Sequence, residues 1–280
     1  MAAQRPYDTT AYRYPHERLI LALTLLLVLL VIGLTATATV CLSVLFVAAM
    51  AALAYARNRS HHKALLEQAY PVTEQDSPAL AALVAESIAR LQVERVQVFV
   101  APSRTLNGYT FGLVSPRVVV LHSALLQVMD ANELRFILGH ELGHVRLGHT
   151  WLNSLVGGMA GIPSPFAAAA ILTMAFLWWN RACEYSADRA GLLACGKPHK
   201  AISALVKLAA GPGDTTRAGL ERALRRIDAE DDHALAELGE SLSTHPMTIR
   251  RIEQLRRYAA SPEYHRLQSL IERNVTRAPA

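Results

Sequence analysis

From Leu19 to Ala56 the chain carries no charged residue. An ordinary core helix has no use for so long an apolar run, whereas an α-helix crosses the hydrocarbon of a bilayer in about 20 residues. The stretch therefore belongs in a membrane. It is overlong for a secretory leader and no small-residue processing site stands out, so it is expected to remain in the mature protein. One tilted crossing or two short ones could use the length. The interruption Gly33-Leu34-Thr35-Ala36-Thr37 favours two, with helices at 19–34 and 38–56 joined by a tight turn. Arg5, Arg13 and Arg18 precede the block and Arg57, Arg59 and Lys63 follow it. Basic flanks stay on the cytoplasmic side, so both ends are expected there. The sequence thus describes an integral protein of the cell (inner) membrane, with residues 1–63 as anchor and 64–280 as a cytoplasm-facing domain.

The net charge of +5 comes partly from these flanks and partly from the C-terminal helical region. No stacking motif or basic groove accompanies it, which excludes nucleic acid as a partner; anionic lipid headgroups suit the charge better. Cys41, Cys183 and Cys195 form no Cys-x-x-Cys pair, so neither a disulfide framework nor a thiolate zinc site is indicated, and a reducing compartment fits. Nothing in the sequence assigns an oligomeric state.

Beyond the anchor, Ser77–Leu91 has helical apolar spacing, and Val96–Val100 is a β-branched and aromatic run ending at Ala101-Pro102. Asn107–Gly112 reads as a short extended segment between turn residues, and Arg117–Leu121 as an apolar strand after Pro116. These make a small sheet. Asp130, with Glu133 three positions on, is a helix start of the capping-box type. Trp151–Asn180 is again free of charge, but Gly157-Gly158, Gly161, Pro163 and Pro165 break it into arms too short to cross a bilayer alone. A new helix should begin near Phe166 and run through Glu184 towards Ala194, where Gly196 and Pro198 end it. Amphipathic helices fill the remainder. The fold class is α+β, mainly helical.

His140-Glu141-Leu142-Gly143-His144 carries the chemistry. Side chains four apart share a helix face, so His140 and His144 can aim two imidazoles at one zinc ion, while Glu141 leans over the open coordination position and takes a proton from a metal-bound water. A catalytic zinc site needs a third protein ligand. One known solution needs Gly at position 147 and His at position 150, but Leu147 and Thr150 stand there. His149 is nine residues beyond His140, which on a continuous helix turns it to the opposite face as a surface or supporting residue. The other solution draws a glutamate from a second helix, and Glu184-Tyr185-Ser186-Ala187-Asp188 offers one. Glu184 is then the third ligand and Asp188 accepts a hydrogen bond from the far nitrogen of a ligand histidine. One Zn2+ per chain is expected.

These segments resemble the HtpX-like membrane zinc metallopeptidases, relatives of the Ste-type CAAX prenyl proteases and the Oma-type proteases. The resemblance spans Ser77–Leu255. It rests on Val118–Leu121, on Asn132-Glu133-Leu134 leading into His140–His144, on Arg181-Ala182-Cys183-Glu184-Tyr185-Ser186-Ala187-Asp188, and on Ser243-Thr244-His245-Pro246 followed by Arg251-Ile252. It implies a gluzincin-type peptidase domain, proteolysis in or beside the membrane, and substrate held as an added strand on the sheet edge. That edge would be Asn107, Gly108, Tyr109, Thr110 and Phe111, where the family tends to show Asn-Ala-Phe-Ala, so Gly108 and Tyr109 depart from it. Backbone pairing at an edge tolerates many side chains. His245 would donate to the oxyanion formed at the scissile carbonyl, or it merely precedes a helix begun by Pro246. Arg251 would brace Glu184 or Asp188, or cover a helix surface.

Both ligand-bearing helices must meet one ion, so the chain between His144 and Glu184 crosses the membrane an even number of times. Residues 151–180 are too short for two crossings. An apolar hairpin dipping into the bilayer, or packed on the protein, is expected beside the site. Trp178 and Trp179 suit an interfacial belt or a buried aromatic pair. The expected function is hydrolysis of internal peptide bonds in membrane or misfolded proteins. A zinc-binding membrane sensor or scaffold, or a processing protease for lipidated proteins, are the alternatives; the intact Glu141 argues against the sensor.

Overall fold

In the computed structural model, which describes residues 7–38, 42–112, 116–150, 167–210 and 246–277, the apolar block forms two helices. They are α1 (Glu17–Ala38) and α2 (Leu42–Gln68). Gly33 lies inside α1 and not at a turn. One glycine costs a helix only about 1 kcal/mol, which the aliphatic residues around it outweigh. The interval between the helices is therefore four residues later than the glycine suggests, and α2 continues through Arg57, Arg59 and Lys63. Among the described residues, one segment, Glu17–Leu34, is long and apolar enough to cross a membrane. Leu26, Leu29 and Leu34 on it are each more than 60% exposed, a surface that water would not favour.

Residues 7–16, ahead of α1, belong to the body of the protein. Tyr12 is fully buried in the main core, and the Tyr7 amide donates to Gln92 Oε1 at 3.1 Å. Arg13, read from sequence as a headgroup-facing flank, is instead half-buried. Its guanidinium pairs with Glu17 and donates to the Leu147 carbonyl at 3.0 Å. A charge next to an apolar block looks the same in sequence whether its partner is a lipid or a carboxylate one turn away.

Four strands form a mixed sheet: β1 (Tyr70–Pro71), β2 (Val96–Ala101), β3 (Gly108–Phe111) and β4 (Arg117–His122), in the order β1-β2-β4-β3. β2 and β4 run parallel, with Val98 opposite Val119. Val118–Leu121 is buried throughout, as expected of a central strand covered on both faces. β3 pairs antiparallel with β4, Thr110 opposite Val119, and forms one edge of the sheet. The two-residue β1 was invisible in the sequence because so short a strand has no periodicity to detect.

The helices that carry the site are α5 and α6. After α3 (Pro78–Leu91) and α4 (Ser123–Val128) comes α5 (Ala131–Leu147), then α6 (Ala167–Cys195), α7 (Pro198–Ala210), α8 (Pro246–Ala259) and α9 (Pro262–Arg277). The start of α5 is the expected capping box: Asp130 Oδ1 accepts from the amides of Asn132 at 2.8 Å and Glu133 at 3.0 Å, and Glu133 Oε2 accepts from the Asp130 amide at 2.8 Å. Every residue from Phe136 to Val145 is buried. A helix so enclosed must pack closely, and Gly139 and Gly143 allow it. A Cβ on Gly139 would stand 2.4 Å from Ala194 Cβ and 3.0 Å from Gly191 Cα, and one on Gly143 would stand 2.6 Å from Ala190 Cβ. On the facing helix, a Cβ on Gly191 would lie 2.7 Å from the Phe136 carbonyl oxygen. The two backbones are thus in near contact along one seam.

Gly139→Ala is expected to cost about 1–3 kcal/mol through overpacking. In thermal melts of the detergent-solubilised protein, adding Ala194→Gly should recover part of the loss. A single variant as stable as the parent would mean that the seam is looser than described.

Candidate metal centre

The seam sets the spacing of polar groups on either side of it. One turn apart on α5, the His140 and His144 Nε2 atoms lie 3.2 Å apart. From α6, Glu184 brings Oε2 to 3.5 Å from His140 Nε2 and Oε1 to 3.5 Å from His144 Nε2. Zinc bound tetrahedrally at about 2.0–2.1 Å spaces its ligands about 3.3 Å apart. The triangle of nitrogens and oxygens therefore has the size such an ion requires, and it leaves a fourth position open. A calcium ion, with bonds of about 2.3–2.6 Å, would need a wider one and more oxygen donors. Two imidazole nitrogens directed at one point are tolerable only around a proton or a cation, so the donor chemistry agrees with the spacing.

Behind the triangle stands a charged brace. Asp188, one turn beyond Glu184 on α6, has its Oδ1 2.9 Å from His140 Nδ1. Arg251, from α8, donates to Asp188 through Nε at 2.8 Å and Nη2 at 2.6 Å, while Nη1 lies 3.2 Å from Glu184 Oε2. Arg251 thus braces both carboxylates, which removes the alternative that it merely covers a helix. Burial opposes the charge on Glu184 and Asp188, but the guanidinium outweighs it and holds both below the usual carboxylate range, Glu184 well below. Burial likewise opposes the charge on Arg251, but Asp188 and then Glu184 raise its pKa. Both carboxylates are therefore anionic at neutral pH.

Glu141 is buried, with Oε2 accepting from Thr110 Oγ1 at 2.6 Å. Edge strand β3 lies so close to it that a Cβ on Gly108 would come within 3.2 Å of Glu141 Oε1. The glycine that departs from the family pattern therefore lies directly against this carboxylate. Asn107, Gly108, Tyr109 and Thr110 line a cavity of about 350 Å³ together with Ile137, His140, Glu141, His144, Thr150, Glu184, Leu208 and Arg251. Phe111 is not among the lining residues; it is buried with Ala101, Val118 and Val120. His245 and residues 151–166, the first part of the expected apolar hairpin, lie outside the described residues. Of the two tryptophans, Trp178 is 49% exposed, whereas Trp179 is buried with Ile20, Ala182 and Cys183. They divide between the two settings considered for them.

His149 takes the supporting place that is one of the two expected of it, but it does not lie on the opposite helix face. Helix α5 stops at Leu147, and Gly148, with φ of 79°, turns the chain back through the left-handed region. His149 consequently folds over the site and does not point away from it: it is buried, with Nδ1 3.0 Å from His144 Nδ1 and Nε2 3.1 Å from Glu17 Oε1. Burial pushes its pKa down to about 4, so it is neutral at pH 7. A nine-residue separation implies opposite faces only on an unbroken helix. Gly148 was the signal that the helix ends, and reading it would have found His149; nothing local marked Glu17.

The chain is similar to known proteins over this region. The model for peptidase family M48 matches residues 74–259. The plastoglobule-localized metallopeptidase 48, chloroplastic, of Arabidopsis thaliana is 28% identical over 208 residues, covering 69% of this chain and 60% of that protein. A protease HtpX homolog of Paenarthrobacter aurescens is 27% identical over 252 residues, covering 78% of this chain and 86% of that protein. A protease HtpX homolog of Pyrococcus abyssi is 26% identical over 230 residues, covering 67% and 76%. No solved structure matches the chain significantly. The matched segment contains the seam, both imidazoles, the facing carboxylates and their arginine, and on that match the chain belongs to peptidase family M48.

Proposed function

We propose that the protein is a membrane-anchored zinc endopeptidase that hydrolyses internal peptide bonds of membrane or misfolded proteins. The observation that carries this reading is the triangle of His140, His144 and Glu184 beside a buried glutamate and an edge strand, all around one cavity. His140, His144 and Glu184 would hold the ion. Bound there, zinc would acidify a water and polarise the scissile carbonyl.

The protein's own residues supply the rest. Glu141 takes the proton from the attacking water and passes it to the leaving amine; the Thr110 hydroxyl fixes which way its carboxylate faces. Asp188 accepts from His140 Nδ1, which leaves the lone pair of Nε2 for the metal. Arg251 keeps Asp188 and Glu184 ionised without a proton of their own. Asn107–Thr110 would hold the substrate backbone as an added antiparallel strand, and this suits unfolded or loosely folded targets because main-chain groups are common to all sequences. His245 directly precedes α8, the helix that brings Arg251 to the site, and is proposed as the donor to the developing oxyanion.

The anchor is proposed to be a helical hairpin of α1 and the apolar part of α2, with the catalytic domain on the cytoplasmic side. The charge-free segment 151–180 would form an apolar wall beside the site that recruits substrate from the bilayer. Replacing several of its apolar residues by serine should reduce cleavage of a membrane substrate more than cleavage of a soluble unfolded one. An equal effect on the two would contradict the wall.

Glu141→Gln is expected to retain zinc but lower kcat on an unfolded substrate by about 10²–10⁴-fold or more, and a chelator should abolish the parent's activity. Equal cleavage by parent and variant would remove the mechanism, and would favour the sensor reading if both were inactive while binding zinc. Arg251→Gln leaves the buried Asp188, and the partly exposed Glu184 beside it, without their cation; breaking a buried pair costs about 3–5 kcal/mol. Lower zinc occupancy after gel filtration, together with a lower melting temperature, is the expected result.

A further inference from the structure

We infer that Glu17 and His149 are positioning residues for His144, so that the root of the apolar helix α1 sets the orientation of one of the two imidazoles in the metal centre. The inference rests on the proposed role of His144 as a metal ligand. It begins from an asymmetry between the histidines. His140 meets a carboxylate directly, with Asp188 Oδ1 2.9 Å from its Nδ1. His144 meets another imidazole, His149, at 3.0 Å between the Nδ1 atoms, and only beyond that a carboxylate, Glu17, 3.1 Å from His149 Nε2.

A single proton arrangement satisfies this chain. His144 turns Nε2 towards Glu184 and His140, so Nε2 must offer a lone pair and Nδ1 must carry the hydrogen. His149 Nδ1 then accepts, and its remaining nitrogen, Nε2, is the N–H that donates to Glu17 Oε1. Reversing either ring would set two hydrogens, or two lone pairs, against each other at the 3.0 Å contact. Glu17 fixes the direction because an ionised carboxylate only accepts. It is held as the acceptor by the Arg13 guanidinium on Oε1 and by the Ser186 hydroxyl on Oε2. Both histidines and both carboxylates are thus arranged alike, except that one carboxylate acts through an intervening ring.

Three separate elements converge on this relay. Glu17 opens α1, His149 is returned to the site by Gly148, and Ser186 lies on α6 two residues beyond Glu184. Ser186 also accepts from the Tyr14 amide at 2.7 Å, and Arg13 Nη2 donates to the Leu147 carbonyl at the end of α5. A carboxylate and an arginine, both placed next to a membrane block, are therefore spent on the interior of the domain. Moving α1 relative to α5 and α6 would withdraw the acceptor from His149 and free the ring of His144 to turn.

Another use of these side chains is a second cation site, since donor atoms of Glu17, His149 and Cys183 lie within 4.8 Å of one another. Glu17 already carries the Arg13 guanidinium, and His149 Nδ1 is committed to His144, so the relay accounts for the cluster and a second cation would have to displace a charge already paired.

The test uses the full chain purified in detergent, with zinc affinity measured by chelator competition and the coordination sphere read from the visible spectrum of the cobalt-substituted protein. Glu17→Gln and His149→Phe should each weaken zinc binding about 10–100-fold and alter the cobalt bands at equal metal loading, a change that a general loss of packing would not produce. His149→Asn, whose side-chain oxygen can accept from His144 Nδ1, should restore the bands more than His149→Phe does; where the phenylalanine variant fails to fold, Glu17→Gln and His149→Asn decide. Unchanged affinity and spectrum in a metal-binding parent would overturn the relay alone. A parent that binds no metal, or a His144→Ala variant that binds as tightly, would instead overturn the metal-site reading. Two metals per chain with a thiolate charge-transfer band would overturn the relay in favour of the Cys183 site.

Discussion

The near contact of two helix backbones governs this structure. Gly139 and Gly143 on α5 face Ala187, Ala190, Gly191 and Ala194 on α6 with no room for another methyl group. The glycines let the helices approach closely enough for Glu184 of α6 to bring a carboxylate oxygen to 3.5 Å from the Nε2 of each imidazole of α5. The histidine pair alone is a property of one helix turn. The triangle is a property of the seam, and so is the meeting of Asp188 with His140.

Much of this was legible in the sequence. Residues four apart on a helix must share a face, so the pairing of His140 with His144 and of Glu184 with Asp188 followed from spacing, and the charge-free run from Leu19 marked a long apolar helix. The capping box at Asp130 likewise depends on atoms within four residues of each other. What was not legible depends on contacts between distant segments. The turn of Arg13 and Glu17 into the domain has no local signal, because a charge beside an apolar block reads as a membrane flank. The face on which His149 lies depends on Gly148 ending the helix, which helical spacing alone does not show, although a supporting role was among those expected. The glycines of the seam were visible as letters, but their reason lies on another helix.

The N-terminal segment changes how the proposed anchor is viewed. Tyr12 is wholly buried in the main core, Tyr7 bonds to Gln92, and Ile20 packs with Trp179 and Cys183. The apolar helix is therefore continuous with the catalytic body on one side, while its leucines face outward on the other. A tether serving only to hold the domain near a bilayer would need none of these contacts. Their presence fixes the helix relative to α6, and α6 carries Glu184, the third donor of the proposed metal centre.

The central claim is that two imidazoles and one carboxylate, held by the α5–α6 seam, bind a single zinc. X-ray absorption at the zinc edge of the purified, metal-loaded protein addresses it most directly. The account predicts nitrogen and oxygen neighbours only, at about 2.0–2.1 Å, with the outer-shell scattering of two imidazole rings. A sulfur neighbour at about 2.3 Å, or a shell with fewer than two imidazoles, would contradict it.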